Sequence, residues 1–243
     1  DDAHAIEDNP YIKNLSKFQQ LVGVQNIFNR SILLFTFSVN HAIGQVDVFG
    51  YHLINIILHL CVAISLYFLT FEILKIEKTE LALKFKNLPL VVSLFHIFHP
   101  INVESVTYLS SRSSVLATLF YLLSLYIFIR FINLKERQNG KWKKIHYPLI
   151  AILLFYLGLG TKEIIVTMPI LAILYLWIRS PTKSFNKFLP ELAIVLIPLI
   201  IYLLYRYMEM GSLLIIRNDP YSYMLDRGLY ALTQIKVIIS YYL

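Results

Sequence analysis

Charge is scarce in this chain. Only 15% of its 243 residues are Asp, Glu, Lys or Arg, against 57% hydrophobic residues, and the mean hydropathy is +0.62. That is too little polar surface to keep a soluble domain in water, and the excess of Leu, Ile, Phe and Tyr reads as surface facing lipid. Cysteine is almost missing. The one Cys, Cys61, lies inside an apolar run, which excludes a disulfide framework and any zinc site built on cysteines. Neither a Gly-rich phosphate loop, a short internal repeat nor a low-complexity tract is visible. An initiator Met is absent too: the sequence starts at Asp1 and stops at Tyr241-Tyr242-Leu243, inside a hydrophobic stretch. This is the pattern expected of a fragment whose first polar loop has lost a preceding anchor helix.

What is present is a series of apolar segments. A membrane crossing takes about 20 apolar residues. Six candidates run from His52 to Leu74, Leu88 to Phe98, Val115 to Ile132, Pro148 to Leu159, Ile164 to Ile178 and Leu189 to Tyr207. A seventh begins near Leu229. The second and fourth are short for a full crossing, as expected of tilted helices or of broken ones lining a cavity. The expectation is an all-α, multi-pass transmembrane helical bundle. Residues 1–51 form a polar outer first loop, and 52–243 form the bundle.

The linkers alternate in character. Lys75, Lys78, Lys84 and Lys86 follow the first span; Arg130, Lys135, Arg137, Lys141, Lys143 and Lys144 follow the third; Arg179, Lys183 and Lys187 follow the fifth. By the positive-inside rule these linkers are cytoplasmic and the others face the periplasm, lumen or exterior. The net charge of +7 is thereby explained without nucleic acid as a partner. Trp142 and many Tyr residues near span ends fit an interfacial belt.

Distinctive polar residues gather on the non-cytoplasmic side. They are Asp1-Asp2-Ala3-His4; Tyr51-His52 with Asn55 and His59; His99-Pro100 with Glu104 and Ser111-Arg112; and Thr161-Lys162-Glu163. Each has a plain reading. Asp1 and Asp2 serve equally as a solvated loop or a helix N-cap pair. His52, Asn55 and His59, on one helical face, suit an interhelical hydrogen-bonded seam. Pro100 turns a loop, and Lys162 and Glu163 can form an ion pair at a helical hairpin. Together they supply carboxylates, cations and imidazoles to one face. A carboxylate is what a general base needs to take a proton from a hydroxyl, and Arg and Lys neutralise a departing phosphate. The combination points to transfer of a group from a lipid phosphate to an acceptor.

An ordered series of motifs carries a resemblance. It runs Asp1-Asp2, Ala5-Ile6 and Asn9-Pro10; Arg30 before an apolar run; Tyr51-His52-Leu53 with Asn55 and His59; Leu94-Phe95 with His99-Pro100; Glu104-Ser105-Val106; Ser111-Arg112; Lys162-Glu163; and Pro169. Over roughly the first 180 residues the chain resembles the multi-pass GT-C glycosyltransferases, most closely the membrane domain of the transmembrane-and-tetratricopeptide-repeat O-mannosyltransferase-like proteins. The resemblance implies a dolichyl- or polyprenyl-phosphate sugar donor, typically mannose. It implies inverting transfer to a Ser or Thr hydroxyl of a protein acceptor, in a bacterial inner membrane or the endoplasmic reticulum, with the site facing periplasm or lumen. By the same resemblance Asp1 is the general base, and Asp2 supports it or holds a divalent cation. Arg112 and Lys162 meet the donor phosphate, and His4, Arg30, His52, Asn55, His99, Glu104 and Glu163 shape the pocket. Three departures stand out: Ser31 replaces the Pro often found after Arg30, no acidic residue follows Arg112, and the usual C-terminal helical repeats are absent.

Two other readings compete. A transporter predicts ionisable residues deep within spans and paired discontinuous helices, whereas the deep spans here are nearly free of charge. A scaffold without chemistry predicts that replacing Asp1, Arg112 or Lys162 changes nothing measurable.

Overall fold

The longest apolar segment is built inside out. Along Val48–Leu74 the side chains turned inward include Asn55, His59, Ser65 and Glu72, while Leu53, Ile56, Ile57, Leu60, Ile64 and Phe68 are exposed. In water this arrangement would cost free energy on both faces; in lipid the outer face is solvated by acyl chains and the polar groups pair between helices. The computed structural model describes residues 12–13, 30–75, 84–136, 143–179, 188–210, 233, 236–237 and 240. Among the described residues, eight α-helices of five residues or more run in order: α1 Ser31–Gly44, α2 Val48–Leu74, α3 Leu88–Phe98, α4 Val103–Thr107, α5 Arg112–Glu136, α6 Lys143–Leu159, α7 Met168–Arg179 and α8 Leu189–Met210. Short 3-10 turns occupy Pro100–Asn102, Leu109–Ser111 and Glu163–Thr167. The described residues contain no strand, so the chain is an all-α membrane helical bundle.

Among the described residues, three helical stretches are long and apolar enough to cross a bilayer: Val48–Leu74, Leu109–Lys135 and Leu189–Met208. A fourth crossing results if Leu88–Phe98 and Pro100–Thr107, bent by 56° against each other, count as one broken span. The expected short second span is therefore an 11-residue helix continued past a break at His99-Pro100. The fifth expected span starts late, because residues Glu163–Thr167 form a 3-10 turn before α7 begins at Met168. The stretch assigned to the outer loop holds α1, 14 residues long and largely apolar. At 1.5 Å per residue it reaches about 21 Å, short of the roughly 30 Å hydrocarbon core.

The chain divides into two compact units, residues 1–199 and 200–243. In the first, α5 packs against α2 and α6, and α2 packs against α3. A buried apolar cluster of Ile12, Leu33, Phe37, Tyr51, Leu109 and Leu116 ties α1 to the starts of α2 and α5. The second unit contains the end of α8, where the Arg206 guanidinium donates to the Tyr202 hydroxyl at 2.8 Å.

Candidate functional site at the start of α5

Arg112 opens α5 and is 0% exposed. Such a residue is tolerated in a dry interior only if its fork of N–H groups is met. Here Nε donates to Asn55 Oδ1 at 2.8 Å, Nη1 to Asn40 Oδ1 at 2.8 Å and Nη2 to the Tyr51 carbonyl at 2.9 Å. The guanidinium lies 4.4 Å from the Phe37 ring centroid and 5.6 Å from that of Tyr51, within range for cation–π attraction. One side chain thus joins α1, α2 and α5.

The geometry of α1 is set at both ends. Arg30 precedes it in the left-handed region at φ 56°, and the Ile32 amide donates to the Gly160 carbonyl at 3.1 Å. After it, Gln45 takes φ 52°. Its amide donates to His41 O at 2.8 Å and its carbonyl accepts from the Tyr51 hydroxyl at 3.0 Å. Asp47 then caps α2, its carboxylate accepting from the Phe49 amide at 3.1 Å.

The Gly160 turn carries Lys162. The Gly158 carbonyl accepts from the amides of Thr161 and Lys162 at 2.8 and 3.1 Å and from the Thr161 hydroxyl at 2.6 Å. A Cβ at Gly158 would lie 2.7 Å from Ile165 Cδ1 and 3.1 Å from Phe120 Cβ, so only glycine lets this turn come so close. Lys162, in extended conformation, places Nζ 2.7 Å from Ser114 Oγ, two residues beyond Arg112. The ion pair expected between Lys162 and Glu163 is replaced by this lysine–serine bond.

The other expected residues disperse. His52 is half-buried, its Nδ1 3.4 Å from the Val106 carbonyl. His99 caps the turn after α3, accepting from the Ile101 amide at 3.2 Å, with its ring edge-on to Phe95. Arg30, Glu104 and Glu163 are exposed. Asp1, Asp2 and His4 lie outside the described residues. The structure joins Asn55 to Arg112 and sets Lys162 on Ser114, two residues further along α5; it leaves Arg30, Glu104 and Glu163 at the surface. The expectation that Arg112 touches a donor phosphate meets a guanidinium wholly enclosed by protein, with three of its N–H groups already bonded. Among the described residues, no three His, Cys, Asp or Glu side chains gather as a metal site would require.

Sequence reasoning passed over several members. Asn40 was findable as the lone amide in an apolar run, and Ser114 only from the fold. His96 was also missed: Asn102 Nδ2 donates to the His96 carbonyl at 2.7 Å, and His96 stacks on His59 with centroids 4.6 Å apart.

No family model matches the chain, and no solved structure matches it. It is similar to Protein O-mannosyl-transferase F38B6.6 of Caenorhabditis elegans, 26% identical over 142 residues, covering 54% of this chain and 20% of that protein. It is similar to human Protein O-mannosyl-transferase TMTC2, 30% identical over 113 residues, covering 46% of this chain and 12% of the other. Human Protein O-mannosyl-transferase TMTC1 is 29% identical over 129 residues, covering 53% and 14%. The chain spans a fifth or less of the length of these relatives, and their names agree with the resemblance carried by its motifs.

Proposed function

We propose that this chain is the membrane part of a protein glycosyltransferase that moves a sugar, mannose, from a polyprenyl- or dolichyl-phosphate donor to a Ser or Thr hydroxyl on the non-cytoplasmic side. The observation that carries this reading is the similarity to proteins named O-mannosyl-transferases over about half of the chain. The site supports it with a cationic end of the bundle. Lys162, half-buried beside Ser114, is the residue we assign to the donor phosphate, because an ammonium at a membrane edge is stabilised by an anionic partner. Arg112 contributes its charge from behind and fixes the start of α5. Asp1 is the assigned general base, with Asp2 beside it. Leaving-phosphate charge is met by the cationic end while the carboxylate takes the acceptor proton.

The test uses membranes containing the full-length protein, a radiolabelled polyprenyl-phosphate mannose and a Ser/Thr acceptor peptide. Wild type is expected to label the peptide, with Lys162→Met and Asp1→Asn each lowering the rate about a hundredfold or more. Absence of transfer by wild type from any common lipid-linked sugar overturns the enzyme reading. Full activity of Asp1→Asn overturns only the base assignment.

A further inference from the structure

Pro100 leaves a gap in the hydrogen-bond ladder at the end of α3, and a side chain fills it. Proline has no N–H to give the carbonyl four residues back, which here belongs to His96. Asn102 supplies the donor instead: its Nδ2 reaches the His96 carbonyl at 2.7 Å. The main chain of Asn102 meanwhile belongs to the turn. Its amide donates to the His99 carbonyl at 3.0 Å, and its carbonyl accepts from the Ser105 hydroxyl at 2.6 Å. Asn102 therefore ties the α4 side of the 56° bend back onto the last turn of α3.

The same amide reads the protonation of a ring. Asn102 Nδ2 lies 3.3 Å from His96 Nδ1. The bond to the carbonyl fixes which end of the amide points there. An amide nitrogen accepts no hydrogen bond, so the closed bend requires Nδ1 without a proton. Protonation sets an N–H against an NH₂ group. If the amide turned over, its oxygen would meet the new N–H, but the His96 carbonyl would lose its donor. One amide cannot serve both, and an unmet polar group at membrane depth is costly.

The surroundings give an imidazolium no support. Among the described residues, α3 packs on α2 and on the turn Pro100–Asn102. From α2, His59 stacks on His96 with centroids 4.6 Å apart, so a proton on either ring opposes one on the other. His52, also on α2, sits at the Val106 carbonyl. His99 caps the turn, and Glu104 of α4 is exposed. Arg112 is held by Asn55, one helical turn from His59 on the same face of α2. No carboxylate stands among these contacts, and His96 Nε2 is buried without a partner.

We propose that His96 and Asn102 form a proton-operated latch on the α3–α4 bend, shut while His96 is neutral and released when it is protonated. The shut state binds fewer protons than the released one. Its stability is therefore full above the titration of His96 and is lost as pH falls through it, within the imidazole range of about pH 7 to 5. The bend carries His99 and Glu104 and meets α2 at His52. Acid thus frees that stretch and leaves α5 in place.

Hydrogen exchange of the full-length protein in maltoside micelles, read by mass spectrometry between about pH 7 and 5, tests the latch. Peptides covering Pro100–Thr107 are compared with peptides of α5 in the same samples, each corrected for the intrinsic pH dependence of exchange. Wild type is expected to lose protection of the bend about tenfold over that range while α5 keeps its own. His96→Phe keeps a ring on His59 and cannot titrate, so its bend is expected to be equally protected throughout. Asn102→Asp reverses the sign. Its carboxylate is repelled by the His96 carbonyl and the bare Nδ1 and bonded by the protonated ring, so protection is expected to rise as pH falls. His59→Phe removes the neighbouring titration and is expected to keep the wild-type fall. A wild-type bend protected equally at both ends of the range overturns the latch. A wild-type fall in His96→Phe or in Asn102→Asp overturns it too, as does a flat profile in His59→Phe. Protection of α5 shows that a variant has folded; where it is lost, the wild-type profile decides alone.

Discussion

The two ends of α2 and α5 are both fastened by a polar side chain, and they are fastened differently. At one end Arg112 of α5 reaches Asn40, Asn55 and the Tyr51 carbonyl. At the other, Asn133 of α5 stands between opposite charges. Its Nδ2 donates to Glu72 Oε1 at 3.0 Å and to the Glu72 carbonyl at 3.2 Å. Its Oδ1 accepts from the Tyr175 hydroxyl at 3.1 Å and from the Arg179 guanidinium. Lys135 and Glu191 form an ion pair nearby in sequence. The Asn133 end balances one carboxylate against one guanidinium through a neutral amide, so it is electrically complete and suits a structural fastening. The Arg112 end holds a cation among neutral partners. It also holds the backbone strain: among the described residues, the non-glycine residues at positive φ are Arg30 and Gln45, which flank α1.

The largest expected effect tests whether Arg112 is the main fastening of its end. Arg112→Met leaves two amide oxygens without donors in a dry interior. A loss of about 4 kcal/mol is expected in reversible unfolding in mixed micelles. Arg112→Lys should recover little, because a single ammonium cannot serve three divergent acceptors. A loss below about 1 kcal/mol would show that the clasp is incidental.

The comparison is sharpened by making the same substitution at both ends. Asn55→Asp sets a carboxylate against Arg112 and should stabilise by about 1 kcal/mol. Asn133→Asp sets an oxygen where Nδ2 faced two Glu72 oxygens, and should destabilise by about 2 kcal/mol. Unfolding midpoints that shift in the same direction for both variants would erase the distinction between the ends.

The smallest effect concerns strain. Gln45 holds a conformation suited to glycine, so Gln45→Gly is expected to stabilise by about 1 kcal/mol. The Tyr51 bond uses only the Gln45 backbone carbonyl and should survive. Destabilisation in the same unfolding assay would mean that the Gln45 side chain has work of its own.

Much of the bundle was legible because apolar runs in lipid are constrained by length alone. The segments at His52 to Leu74, Val115 to Ile132 and Leu189 to Tyr207 correspond to α2, α5 and α8 with ends extended by a few residues. The break near His99 was foreshadowed by the shortness of its run and by Pro100. What the pattern could not show was α1. Its apolar run is too brief to register as a crossing, and its place depends on Arg112 and Gly160, far along the chain. The site was legible in its residue types and less so in their tasks. Arg112 was singled out by its charge and position, but three neutral acceptors from two helices, which no spacing reveals, enclose it. Lys162 was singled out by its position between apolar segments, and its serine partner comes from the packing of α5 beside the Gly160 turn. Asp1, Asp2 and His4, on which the proposed chemistry rests, lie outside the described residues.

The bond from the Ile32 amide to the Gly160 carbonyl has a consequence for how the protein is made. The two residues are 128 positions apart (160 − 32). At translation rates of about 5–20 residues per second, α1 waits on the order of 10 s for its partner to leave the ribosome. Asn40 waits likewise for Arg112. The packing of α1 on α2 can form early, but its bonds to Gly160 and to Arg112 can form only after α5 and α6 have been synthesised.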